Sequence, residues 1–337
     1  MKKQILILAL LLPLLAGCAA KQPVPLPCTP GEAQRLVVYT SHKEEVYTPI
    51  IREFEERTGI WVDVVSGGTN ELLQRIQQEA DAPKADVMFG GGVESLESYQ
   101  DCFSPYICRD AAGISEQFQA ESGCWTPFSA LPVVLVYNTK LVAPESLTSW
   151  KDLESPAFRG KIAFADPQIS GSSYTALVTR LQTGGGMEDS LTRLCTALDG
   201  KQLDSSGAVL TAVADGSALV GITLEETALQ HIAAGEDIAL VYPSDGTSCV
   251  PDGSALVKGA PHGDNARLFL DFTVSADVQS MVGQRFCRRT VRADIPADPS
   301  LPPLSTLNMV SYDVEWASQN RERLLSEWSF LLGEVPS

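Results

Sequence analysis

Four short clusters of small polar residues are the parts of this chain best suited to hold a ligand: Thr40-Ser41, Gly67-Gly68-Thr69, Gly90-Gly91-Gly92 and Ser170-Gly171-Ser172-Ser173. Hydroxyls and free backbone amides bind an anion by hydrogen bonding alone, and glycine lets the backbone approach the bound group. Read singly, each cluster is also a tight turn with a helix cap. Charged side chains add to the set. Glu225 either accepts hydrogen bonds from ligand hydroxyls or an ammonium group, or complements the dipole of a helix it opens. Arg288, Arg289 and Arg292 form the one dense basic cluster, offering bidentate donors to a phosphoryl group or salt bridges to acidic neighbours. His42, just inside a helix start, is a capping residue or a ligand contact. Asp245 and Thr247 mark a hinge or a plain turn. Catalytic motifs are missing: there is no G-x-S-x-G, no H-E-x-x-H and no P-loop, and only three histidines are present. An exported hydrolase is the weaker alternative, and no enzyme activity is expected.

These clusters need elements to bring them together, and the hydrophobic pattern supplies them. Leu36 to Tyr39 is a β-rich run, followed by a helix carrying Val46, Ile50 and Phe54, with Ser41 and Glu44 as a capping box and Thr58-Gly59 as its end. Trp61 to Val65 is the next strand, a helix follows with Leu72, Leu73 and Ile76, and Asp86 to Phe89 is a third strand. The order β-α-β-α-β predicts a parallel sheet with right-handed crossovers. A second region repeats the alternation: Lys161 to Ala165, a helix through Leu177 and Leu181, then Leu219 to Ile222 leading into Glu225. Between them, Val133 to Tyr137 suits a buried crossover strand. All four clusters follow a predicted strand and precede a predicted helix, so they share the carboxyl edge, where open α/β sheets bind ligands.

The N-terminus places this machinery outside the cytoplasm. Lys2 and Lys3 precede an apolar run from Ile5 to Leu15, and Leu15-Ala16-Gly17-Cys18 follows. The run is too short to span a bilayer and reads as a lipoprotein signal peptide over residues 1–17, with Cys18 as the lipidated residue. A proline-rich stalk over 18–34 follows. Losing the two signal lysines takes the formal charge from −17 to −19, which argues against nucleic acid as a partner. Seven cysteines remain beside Cys18. Export favours disulfides, and Cys249 with Cys287 is the pairing expected beside the ligand segments.

Tyr39-Thr40-Ser41-His42, Phe54 to Ile60, Ala85 to Gly92 and Gly221-Ile222-Thr223-Leu224-Glu225-Glu226 resemble the extracellular solute-binding components of ABC importers. The branch is the one containing ferric-ion, hexose-phosphate and 2-aminoethylphosphonate binders, and the likeness runs from about Arg35 to Asp294. It implies a two-lobed α/β fold of the type II periplasmic-binding-protein kind, with hinge strands and a cleft that closes on its ligand. The lobes are expected at 35–128 with 250–297 and at 129–249 with 298–337. The resemblance further implies a monomer that docks on a membrane permease driven by a separate ATPase, with the membrane reached only through the lipid anchor. Ferric-binding relatives carry adjacent tyrosines near Leu224-Glu225-Glu226; this chain has no Tyr-Tyr pair, which leaves Fe3+ as the alternative ligand and a small phosphorylated or phosphonate solute as the expected one. Carried over residue by residue, the anion contacts are Ser41, Thr69, Gly91, Ser170, Ser172 and Ser173, with His42, Glu225 and Arg289 completing the site. No cofactor and no resident metal is expected.

Overall fold

One strand belongs to two sheets and joins the lobes. In the computed structural model, which describes residues 30–184 and 186–333, β1 (Arg35–Thr40), α1 (Glu44–Thr58), β2 (Trp61–Ser66), α2 (Thr69–Gln78), β3 (Val87–Gly92) and α3 (Val93–Ser98) open the first lobe. β4 (Thr126–Asn138) is 13 residues long and buried throughout, a length of roughly 43 Å that serves two sheets in succession. Its first half, to Pro132, pairs antiparallel with β8 (Cys249–Leu256), and its second half, from Val133, with β6 (Val220–Leu224) and β7 (Ile238–Val241). β5 (Ile162–Ala163) lies parallel to β6. Helices α4 (Gly171–Gln182), α5 (Met187–Leu198), α6 (Ser206–Ala214) and α7 (Glu225–Ala233) cover the second sheet. The chain returns to the first lobe through β8, α8 (Gly263–Thr273), α9 (Ala276–Phe286) and the short β9 (Arg289–Thr290), then ends in α10 (Val314–Gln319) and α11 (Arg321–Leu332). The strand order is β2-β1-β3-β8-β4-β6-β5, with β7 and β9 also on β4.

The expected βαβαβ unit is present: β1 runs parallel to both β2 and β3. Val46, Ile50 and Phe54 bury one face of α1 against the first sheet. There Phe54, Phe89, Phe128 and Phe269 meet edge to face at centroid separations of 4.9 to 5.4 Å, an arrangement worth about 0.5–1.5 kcal/mol per pair beyond area burial. Gly59 ends α1 in the left-handed region, at φ 69°, its amide donating to Glu55 O. The second lobe closes over Trp150, Phe164, Tyr174 and Trp328, the last supplied by α11.

Three expectations need correction. The capping box over Ser41 and Glu44 does not form: α1 begins at Glu44 with Lys43 as N-cap and no side-chain cap. Thr40 Oγ1 donates to Phe89 O at 2.8 Å and Ser41 N to the same carbonyl at 3.3 Å, so the chain stays tied to β3 before it can turn. The strand read over Lys161 to Ala165 shrinks to two residues. All six cysteines among the described residues are free thiols, so no Cys249–Cys287 disulfide is formed. Burial raises the pKa of both thiols, with the charges of Arg289 and Glu225 acting on Cys249 and those of Glu226 and Asp298 on Cys287. The signal peptide, Cys18 and the stalk as far as residue 29 lie outside the described residues. No helix among the described residues is long and apolar enough to cross a membrane.

Candidate ligand site

A cavity of about 360 Å³ lies between the lobes and is walled by both of them. From the first lobe come Ser41, His42, Thr69 and Gly91; from the second come Ser170, Gly171, Ser172 and Ser205. These loops precede α1, α2, α4 and α6, so several helix N-termini face one space, the arrangement that favours an anion. Ser170 is the N-cap of α4: its Oγ accepts from Ser173 N at 3.3 Å and lies 3.0 Å from Ser172 Oγ. Ser205 caps α6 in the same way, accepting from Ala208 N. Two glycines make the close approach possible. Gly90 and Gly91 both have φ 102°, and a Cβ on Gly91 would stand 2.8 Å from Thr69 Cγ2.

The floor is charged and buried. Arg288 is 6% exposed and donates through Nη1 to Asp252 at 2.6 Å and to Ser129 Oγ at 3.1 Å, and through Nη2 to Glu226 at 3.2 Å. Its Nε is buried with no partner among the described residues. Burial alone would lower the guanidinium pKa, but Glu226 and Asp252 outweigh it and the net shift is upward. His42 packs edge-on against Phe89 at 4.4 Å, with Nδ1 3.6 Å from Asp252 and Nε2 without a partner among the described residues. Burial first, and the Arg288 charge second, hold its pKa well below 6.5, so the ring is neutral at physiological pH. One cation facing two carboxylates makes this floor a place for hydrogen-bond donors. Hydroxyls or an ammonium group fit it better than a second anion.

Of the residues read from the sequence, Ser41, His42, Thr69, Gly91, Ser170 and Ser172 line this cavity, and Ser173, Glu225 and Arg289 do not. Ser173 is buried beneath the wall, donating to Ser170 Oγ at 3.1 Å. Glu225 and Arg289 are engaged with each other: Nε to Oε2 at 2.8 Å and Nη2 to Oε1 at 2.7 Å, with the third nitrogen on Pro302 O at 2.9 Å. Tyr242 OH completes the carboxylate. Their sequence neighbours Glu226 and Arg288 face the ligand space instead. Arg292 lies elsewhere, bound to Asp294 at 2.8 and 2.7 Å. Asp252, in the Val250-Pro251-Asp252-Gly253 stretch of β8, escaped the sequence reading, as did Ser205; the Asp204-Ser205-Ser206 run, another helix-cap signature, was the signal for the latter.

The two-lobed architecture agrees with what comparison with known proteins finds. Residues 36–285 match the model of the bacterial extracellular solute-binding protein family. The chain belongs to that family. This solute-binding protein is 26% identical over 306 residues to iron uptake protein A1 of Synechocystis, covering 86% of this chain and 84% of that one. It superposes with a TM-score of 0.83, at 25% identity, on the periplasmic binding protein AfuA of Actinobacillus pleuropneumoniae with exogenous fructose-6-phosphate bound, covering 89% of this chain and 99% of that chain. It also superposes on the ferric binding protein of Campylobacter jejuni with a TM-score of 0.77 at 18% identity, covering 88% and 99% of the two chains, a likeness of fold alone.

Proposed function

We propose that this solute-binding component of an ABC importer captures a small phosphorylated or phosphonate solute in the interlobe cavity and delivers it to a membrane permease. The observation that carries the reading is the convergence of Ser41, Thr69, Gly91, Ser170 and Ser172, from both lobes, on one cavity at several helix N-termini. The anionic end sits against those hydroxyls and amides. The other end, a polyol or an amine, donates to Glu226 and Asp252 while Arg288 holds both carboxylates in place. The likeness to a periplasmic binding protein with fructose-6-phosphate bound supports a phosphorylated solute. Iron capture is the competing reading, because an iron uptake protein is among the relatives. Against it, no tyrosine lines the cavity and no group of three His, Cys, Asp or Glu able to hold a metal exists among the described residues. We also propose that the exported chain is anchored through a lipid on Cys18, and Cys18→Ala should release it from membranes.

Titration calorimetry with fructose 6-phosphate, 2-aminoethylphosphonate and ferric citrate tests the ligand. A phosphorylated or phosphonate compound should bind, and Ser172→Ala should weaken it by roughly tenfold or more, the worth of one hydrogen bond to a charged group. Tight binding of ferric citrate with no response to either phosphorus compound overturns the assignment.

A further inference from the structure

The C-terminal helix α11 carries a buried arginine that the ligand cavity does not use. Arg321 opens α11 and is 7% exposed, with its guanidinium carbon 4.7 Å from the centre of the Tyr174 ring. No carboxylate pairs with it directly among the described residues; Glu94 acts on it only at longer range, and burial pulls its pKa down. Its Nε has no partner among the described residues. Burying a cation this way is costly. What Arg321 does reach is on the other lobe: Nη2 donates to Asn70 Oδ1, in the first turn of α2. Asn70 Nδ2 in turn donates back across the cleft to the carbonyl of Gln168. Gln168 is itself held to α11, through Nε2 to Ser329 Oγ at 2.7 Å.

We propose that Asn70 and Arg321 are positioning residues for solute capture, closing a hydrogen-bonded ring of α11, Gln168 and Asn70 that sets two ligand loops against each other. Asn70 follows Thr69 directly, and Gln168 stands two residues before Ser170. The ring therefore fixes the distance between a hydroxyl of the first lobe and the hydroxyls of the second. That contact is close: a Cβ on Gly171 would lie 3.0 Å from Thr69 Oγ1, and one on Gly68 would lie 3.5 Å from Ile169 O. Neither Asn70 nor Arg321 lines the cavity, so the ring acts on the solute only through the loops it holds. Because its bonds cross between lobes, they exist only when the lobes are together. The ring thus favours the closed form with or without solute, and whatever fraction it adds to that form is gained in affinity.

The inference is tested without any solute, so its outcome is independent of the ligand assignment. Ligand-free wild type, Asn70→Ala, Arg321→Met and the double variant are compared by small-angle scattering and by amide hydrogen exchange over Thr69–Leu73 and Ile169–Ser173. Arg323→Ala, an exposed neighbour on α11, is the control. Each single variant should enlarge the radius of gyration and speed exchange in both segments by roughly tenfold, the worth of a lost hydrogen bond. The double variant should be no worse than the more affected single, since one ring is broken in every case. Should Arg321→Met fail to fold, Asn70→Ala decides alone. Unchanged scattering and unchanged exchange in Asn70→Ala overturn the proposal, as do single-variant effects that add in the double.

Discussion

Arg289 offers the sharpest separation between a group that binds solute and a group that holds the fold. Its side chain is 10% exposed and the carboxylate it grips, on Glu225, is 1% exposed, so the pair lies beyond the reach of solvent screening. Replacing Arg289 with Met removes both bonds to Glu225 and the one to Pro302 O, and leaves the carboxylate with the Tyr242 hydroxyl as its one remaining partner among those described. Stranding a buried charge in this way costs about 3–5 kcal/mol. For a chain of this size that lowers the thermal midpoint by roughly 5 to 8 °C. The double variant Glu225→Leu with Arg289→Met carries no stranded charge and should recover most of the loss. Near-UV circular dichroism against temperature measures both. Solute affinity of the folded Arg289→Met protein, titrated well below its midpoint, should stay within a few-fold of wild type. Wild-type stability combined with lost binding would show instead that Arg289 serves the ligand, and the placement argued from its geometry would be refuted.

Further predictions follow from individual contacts. Gly91→Ala forces a side chain into the φ 102° conformation and against Thr69 Cγ2, so it should cost about 1–3 kcal/mol in urea unfolding and weaken solute binding with it. Ser170→Ala removes the N-cap of α4 and should cost about 1 kcal/mol by the same assay. His262 donates through Nδ1 at 2.8 Å to the buried Asp86, and although its partial burial works the other way, Asp86 and Glu32 raise its pKa above 6.5. A group raised on folding stabilises below its unfolded pKa and loses that contribution as pH climbs through the folded value. The stability advantage of wild type over His262→Gln should therefore shrink as pH rises from about 6 to 8, and an advantage that grows over that window would contradict the assignment of this contact.

The first lobe was legible because Leu36 to Tyr39 and Trp61 to Val65 are short β-rich runs, Val46, Ile50 and Phe54 recur every four residues, and glycine or small polar residues separate them. β8 was not, since Pro251 and Gly253 argue against a central strand. The ladder to β3 ends at Asp252, which spares Pro251 a partner on that side and explains why the chain tolerates it. The loop residues of the site were readable as clusters, but the charged pair was read one residue out of phase. Arg288 and Glu226 line the ligand space while their neighbours Arg289 and Glu225 pair with each other away from it, so each pair of adjacent residues is divided. Composition carries no information on that phase; it is fixed by the register of β9 on β4, Ala130 opposite Arg289. The ring through Asn70 and Arg321 joins residues 251 positions apart, and neither carries any local signature.

The central claim, that the cavity holds a phosphorus-bearing anion, is tested most directly by elemental analysis of protein purified from cells without denaturation and then desalted. Phosphorus and iron are counted per chain in wild type and in Ser172→Ala. The account predicts up to about one phosphorus per chain in wild type, less in the variant, and no iron in either. Iron approaching one per chain, with phosphorus absent from both proteins, would contradict it.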